Sequence, residues 1–218
     1  MSQSQFEQPA RLLWDADGVL VDSQALAHSI ATDIMRSVGV DTDIKSQEDY
    51  RRAFGVGSQG TAAFSADECR VLREIHRLAL RTRATELTCI SDGIEVLSRV
   101  AAYSSIVTSA YADGIFTALR QSNLRVPVMG RECGSKVEIL NREKRKATFV
   151  YITDTTTDIA RCREVGAPVI AVTWGYDNLD HLEVAQPDYI CSGVQDLIVA
   201  IEAATSLILL THEQTAQL

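Results

Sequence analysis

The chain has 218 residues, of which 46% are apolar and 23% charged, with a formal net charge of −8 and a pI near 5.0. That is the composition of an ordinary globular protein, long enough for one sizeable core or for a core domain of about 150 residues with a smaller partner. The acidic balance argues against retention on nucleic acid or on an anionic membrane by the overall field, so an anionic substrate needs local cations or a metal to receive it.

The first ten residues have neither the basic head nor the apolar run of a secretory signal, and no such leader is expected. Short apolar runs rich in Val and Ile then recur at Arg11–Trp14, Ser104–Val107, Val126–Met129, Phe149–Thr153, Val169–Thr173 and Tyr189–Cys191. They do not alternate with polar residues, which predicts buried strands. Helical periodicity fills the intervals at Ile94–Ala101, Tyr111–Ser122, Lys136–Arg145, Asp158–Val165 and Val194–Leu209. Strand and helix in regular succession predict an α/β fold built on a doubly wound parallel sheet. The apolar stretch from Leu197 to Leu210, interrupted by Glu202, falls short of the roughly 20 residues of a membrane span. Five scattered cysteines, odd in number and without a Cys-x-x-Cys pair, predict free thiols in a reducing cytoplasm.

One interval breaks the rhythm. Residues 24–88 hold no convincing strand; Ala25, Ile30, Ile34, Met35 and Val38 fall near helical spacing, and Ser46–Asp49 and Ser65–Glu68 look like helix starts, the second a capping box. Cys69 to Leu87 suits one long amphipathic helix. The chain therefore divides into a core of 1–23 with 89–218 and a helical insertion at 24–88 that leaves from the carboxyl edge of the sheet, where open α/β sheets bind ligands.

Four segments carry chemistry. Asp15-Ala16-Asp17-Gly18 puts two carboxylates after the first strand, with Gly18 allowing a sharp turn; alone, such a segment is also a common Asp-rich turn. Thr108 and Ser109 end another strand, as phosphate-binding hydroxyls or as an ordinary helix cap. Lys136, one of four lysines with Lys45, Lys144 and Lys146, opens a helix at the carboxyl edge, whereas Lys144 and Lys146 close it at the opposite edge. Asp154 ends a strand with Asp158 one helical turn later; Asp158 also suits a helix start. Carboxylates gathered at one edge repel each other unless a cation holds them.

In this order the four segments resemble the haloacid dehalogenase-like hydrolase superfamily, in particular its capped phosphoglycolate-phosphatase-like branch. Asp15-Ala16-Asp17-Gly18-Val19-Leu20-Val21-Asp22-Ser23 is similar to that family's first motif. Asp154 to Asp158, the following helix to Gly166 and Trp174-Gly175-Tyr176 are similar to its fourth motif and sequel. The resemblance implies a Rossmann-like core with a small helical cap, and a phosphatase acting on a small phosphorylated metabolite with Mg2+. It makes Asp15 the nucleophile and Asp17 the general acid and base. Thr108, Ser109 and Lys136 would bind phosphate. Asp15, the Asp17 backbone carbonyl and Asp154 would hold the metal, with Asp158 behind them. Arg51, Arg52 and Phe54 of the insertion are candidate substrate contacts, and His28 is read as a helix-face residue. Two departures stand out: Thr153 replaces the usual Gly before Asp154, and Val137 the usual Pro after Lys136. The alternatives are a phosphomutase of the same fold, or a non-catalytic relative that binds a phosphometabolite or a protein. A receiver-type signalling domain fits less well, because its phosphorylated Asp follows a later strand.

Overall fold

The computed structural model describes residues 11–41, 43–46, 48–50 and 64–205. Six strands form one sheet: β1 (Arg11–Trp14), β4 (Ser104–Val107), β5 (Val128–Met129), β6 (Phe149–Thr153), β7 (Val169–Val172) and β8 (Tyr189–Cys191), ordered β5-β4-β1-β6-β7-β8 and parallel throughout. The element carrying Asp15 is therefore central, flanked by those carrying Thr108 and Asp154.

The strands read as unbroken apolar runs because both faces of the sheet are covered. Leu12, Trp14, Ile106 and Ile152 join the core on one face with Val96 and Leu97 of α3 (Ser91–Val100), Ile115 of α4 (Ala112–Leu119) and Leu197 of α8 (Val194–Thr205). Leu13, Val107 and Tyr151 point to the other face with Ile139 and Leu140 of α5 (Lys136–Lys144), Ile159 of α6 (Thr156–Val165) and Leu182 of α7 (Leu179–Ala185). Each fully buried Leu or Ile stabilises by about 1.5–3 kcal/mol relative to exposure. Among the described residues no helix is long and apolar enough to cross a membrane, and all five cysteines are free.

Between β1 and α3 the chain forms α1 (Gln24–Ser37) and α2 (Ala66–Thr82), whose apolar faces meet in a separate cluster of Ile30, Ala31, Ile34, Met35, Ile44 and Leu72. Ser65 and Glu68 complete the capping box of α2. Two two-residue strands, β2 (Val21–Asp22) and β3 (Thr88–Cys89), pair antiparallel where the chain leaves and returns. The predicted helix from Cys69 to Leu87 is thus shorter at its end, because the chain must straighten to make this ribbon. Helix α2 is fastened to the core by polar contacts. Glu74 accepts from Tyr111 Oη and meets Arg131, both at 2.5 Å, and Arg81 makes a bidentate pair with Asp113.

Candidate active site

The sheet delivers the acidic residues to one edge. Asp15 follows β1 directly, and its amide N–H still donates to the Ile152 carbonyl at 2.8 Å, so its side chain is fixed by the ladder. The chain then turns back within a few residues: Gly18 N–H donates to the Val21 carbonyl and Leu20 N–H to the Ala16 carbonyl, both at 2.9 Å. Gly18 has φ +77°, and a Cβ there would lie 2.0 Å from Asp154 Oδ2. Only glycine fits both the conformation and the approach.

Asp15 Oδ2 lies 2.8 Å from Lys136 Nζ, and Asp15 Oδ1 accepts the Ala16 N–H at 2.8 Å. Lys136 is the first residue of α5, set by a capping box between Ser135 and Glu138. Its ammonium also holds Asp158 Oδ2, while Arg161 holds Asp158 Oδ1 at 2.5 Å. Tyr151 and Thr153 hydroxyls reach the same Asp158 carboxylate at 3.4 Å. The side chain of Thr153, which stands where the family usually has Gly, is fully buried and makes this hydrogen bond. Lys144, as its place in α5 suggests, is at the far edge and caps the Val165 and Gly166 carbonyls.

The carboxylates have different electrostatic fates. Burial pushes Asp15 well above the ordinary carboxylate range; Lys136 opposes this and the charges of Asp158 and Asp154 add to it. Burial also raises Asp154, to about 7, against the Tyr176 N–H that donates to its Oδ2 at 2.7 Å. Asp158 feels the same burial, but Lys136 and Arg161 outweigh it and hold the group below its usual value. Lys136, for which burial alone would favour the neutral amine, is raised by Asp15 and Asp158 and stays charged.

These differences bear on a cation. Among the described residues no three His, Cys, Asp or Glu side chains stand together as a metal cluster, and Asp158 is already saturated by Lys136 and Arg161. Asp154 Oδ1, by contrast, is buried with no hydrogen-bond partner among the described residues. A buried carboxylate oxygen without a donor is costly unless a cation meets it. Oxygen donors from two carboxylates, Asp154 and Asp15, and a backbone carbonyl fit a hard divalent ion, which keeps several waters.

Asp15, Asp17, Ser109, Lys136 and Asp158 line one cleft of about 230 Å³, with residues of α2 forming part of its wall. Thr108 stands beside it, its Oγ1 accepting from Ala110 N–H at 3.0 Å and donating to Asp17 Oδ2 at 3.4 Å. The predicted catalytic and phosphate-binding residues of the core are thus brought to one place. Arg51, Arg52 and Phe54 lie outside the described residues. His28 is buried in α1 beside the Tyr50 ring and does not line the cleft. The sequence reading missed Arg73, His76 and Arg77 of α2, Arg161 of α6, Tyr50 and Tyr176, all of which line the cleft. The i, i+4 spacing of Arg73 and Arg77 was the available signal for one helix face. Tyr176 and Arg161 lie within the segment similar to the fourth motif and its sequel, but nothing local gave either a role in the site.

No family model matches the chain. It is 24% identical over 204 residues to a phosphoglycolate phosphatase of Synechococcus elongatus, covering 87% of this chain and 96% of that protein. A haloacid dehalogenase-like family hydrolase of Streptococcus pneumoniae superposes with a TM-score of 0.70 at 20% identity, covering 88% of this chain and 98% of that one. A hydrolase of Pseudomonas syringae gives 0.72 at 16% identity, with coverage of 89% and 98%. A HAD family hydrolase of Deinococcus radiodurans, with bound phosphate and sodium, gives 0.60 at 17% identity, with coverage of 89% and 95%. The fold of this chain is that of the haloacid dehalogenase-like hydrolases.

Proposed function

We propose that the protein is a magnesium-dependent phosphatase that hydrolyses the monoester of a small phosphorylated metabolite through an aspartyl-phosphate on Asp15. The observation that carries the reading is a single edge of the sheet holding a buried carboxylate at 2.8 Å from a buried ammonium, beside a second buried carboxylate with an oxygen that no described residue meets. The names of the relatives, phosphatase and hydrolase, support it.

Asp15 attacks phosphorus, and the bond from phosphorus to the alcohol oxygen breaks. Asp17 gives the departing oxygen its proton, then takes one from the water that attacks the aspartyl-phosphate, releasing inorganic phosphate and restoring Asp15. Lys136 neutralises charge on the phosphoryl oxygens, and Thr108 with Ser109 orients them. Asp15, Asp154 and the Asp17 carbonyl would hold Mg2+, which when bound lowers the repulsion between carboxylate and phosphate. Because Lys136 and Arg161 saturate Asp158, its role in this reading is to hold Lys136. Arg73 and Arg77 on the cleft wall support an alcohol that carries further negative charge.

The test is phosphate release from an aryl phosphate, with and without Mg2+, by wild type and Asp15→Asn. Magnesium-dependent turnover lost in the variant is expected; phosphoglycolate, the substrate in the name of the Synechococcus relative, is the next ester to assay. Equal turnover by the variant removes Asp15 as nucleophile. Phosphate transfer between positions of a sugar phosphate, without net release, selects the mutase instead.

A further inference from the structure

The turn after β7 touches the turn after β1 at several points. Trp174 Nε1 donates to the Val19 carbonyl at 3.3 Å, and the Tyr176 amide holds Asp154 Oδ2 at 2.7 Å. The Tyr176 ring lies against Gly18, where a Cβ would come within 2.6 Å of the ring Cδ2. Its hydroxyl is 2.6 Å from Ser23 Oγ, and Ser23 Oγ donates to Asp17 Oδ1 at 2.7 Å.

The direction of this chain follows from counting protons. A serine hydroxyl has one, and Ser23 gives it to Asp17. The short contact with Tyr176 is therefore donated by tyrosine. Asp17 Oδ1 is thus held by a hydroxyl that is itself held. Among the described residues, Asp17 Oδ2 has only the 3.4 Å contact from Thr108. One oxygen is anchored and the other is left for proton exchange.

We propose that Tyr176 is a positioning residue for Asp17: through Ser23 it anchors Oδ1 and leaves Oδ2 as the oxygen that exchanges a proton with the leaving alcohol and the attacking water. This rests on the phosphatase reading above. Without the tyrosine hydroxyl, Ser23 can turn away and Asp17 gains rotamers, and a displacement of about 1 Å at a reacting group costs on the order of 100-fold in rate.

Tyr176→Phe keeps the ring against Gly18 and the amide to Asp154, and removes only the donor. The measurement is kcat/KM, which reports the steps up to departure of the alcohol, for p-nitrophenyl phosphate and for an alkyl phosphate. Nitrophenolate leaves without a proton; an alkoxide needs one from Asp17. Expected is a loss of about 10- to 100-fold on the alkyl ester and of no more than about threefold on the aryl ester. Ser23→Ala should give the same pattern, and the double variant no further loss. Equal losses on both esters, or none, overturn the proposal. So does a lost Mg2+ affinity of Tyr176→Phe by calorimetry, which would mean that the residue acts through Asp154. If wild type turns over neither ester, the phosphatase reading fails. The positioning claim is then decided by crystal structures of wild type and Tyr176→Phe: an Asp17 side chain that stays in place overturns it, and one that rotates away from Ser23 upholds it.

Discussion

The ammonium of Lys136 sits 2.8 Å from Asp15 Oδ2 inside the protein, with both side chains almost wholly withdrawn from solvent. Such a pair is weak evidence for net stability, because desolvation offsets much of the attraction. Breaking it is another matter, since Lys136 also neutralises Asp158. Lys136→Ala leaves the buried Asp15 without its cation and Asp158 with Arg161 alone. Its expected cost is about 3–5 kcal/mol in unfolding free energy and a fall in kcat of roughly 10²–10³-fold from the lost charge on the phosphoryl oxygens. Denaturant titration and steady-state kinetics on one preparation check both. Full activity in Lys136→Ala would remove it from the phosphate site.

Asp154 supplies a second prediction. Its Oδ1 has no partner among the described residues, while its Oδ2 is fixed by the Tyr176 amide. A cation that binds only the folded protein stabilises by about 2.7 kcal/mol at 100 times its dissociation constant. Thermal unfolding of wild type should therefore move upward with added Mg2+, and that of Asp154→Ala should not. Gly175→Ala should abolish the same shift, because its Cβ would stand 2.2 Å from Asp154 Oδ2 and force the carboxylate aside. A full magnesium response in either variant would place the ion elsewhere.

Much of this was legible in the chain, for reasons that particular residues show. Leu12, Leu13 and Trp14 are buried on alternate faces of a doubly covered sheet, so the run is apolar throughout and the strand is readable. Asp15, Asp154 and Lys136 were placed because each sits at a strand end or a helix start, and the topology alone sends those ends to one edge. Ser23 and Tyr176 each stood in a recognisable segment, but their meeting was not readable: they touch across 153 residues of sequence, and no local pattern encodes the contact. The ribbon of Val21–Asp22 with Thr88–Cys89 was missed because two-residue strands have no period to detect. Helix α7 was missed for a similar reason, being short and mostly exposed on its outer side.

Arg77 of α2 sits in the cleft with its side chain 22% exposed and its guanidinium held below its ordinary range by burial and by the charges of Arg131 and Arg73, against Glu74. Cations placed near one another tolerate that repulsion at low cost when an anion comes between them. Arg77→Ala should raise KM by about tenfold, or roughly 1.4 kcal/mol, for an ester whose alcohol bears a carboxylate or phosphate. The change in kcat should be smaller, and p-nitrophenyl phosphate should be nearly unaffected. A uniform loss on both substrates would assign Arg77 to the fold of the cleft wall rather than to recognition.

His76 gives the pH prediction. Its ring is buried, with Nε2 3.0 Å from the Ala27 carbonyl and Nδ1 3.5 Å from Tyr50 Oη. A carbonyl only accepts, so Nε2 carries the proton of the neutral ring and Nδ1 faces the tyrosine hydroxyl. Burial, with Arg77 and His28, holds the pKa below the ordinary 6.5, against the Ala27 carbonyl and Asp17. Below about pH 6.5 the unfolded chain takes up a proton that the folded chain refuses. The stability contributed by this group is therefore complete above about pH 6.5 and is lost as the pH falls toward the folded value, at up to about 1.4 kcal/mol per pH unit. His76→Gln keeps a donor for the Ala27 carbonyl and does not titrate there. Urea unfolding between pH 8 and 5 should give parallel curves for the two proteins above about pH 7 and a steeper decline for wild type below it. Curves that stay parallel throughout would show that His76 titrates alike in the folded and unfolded chains.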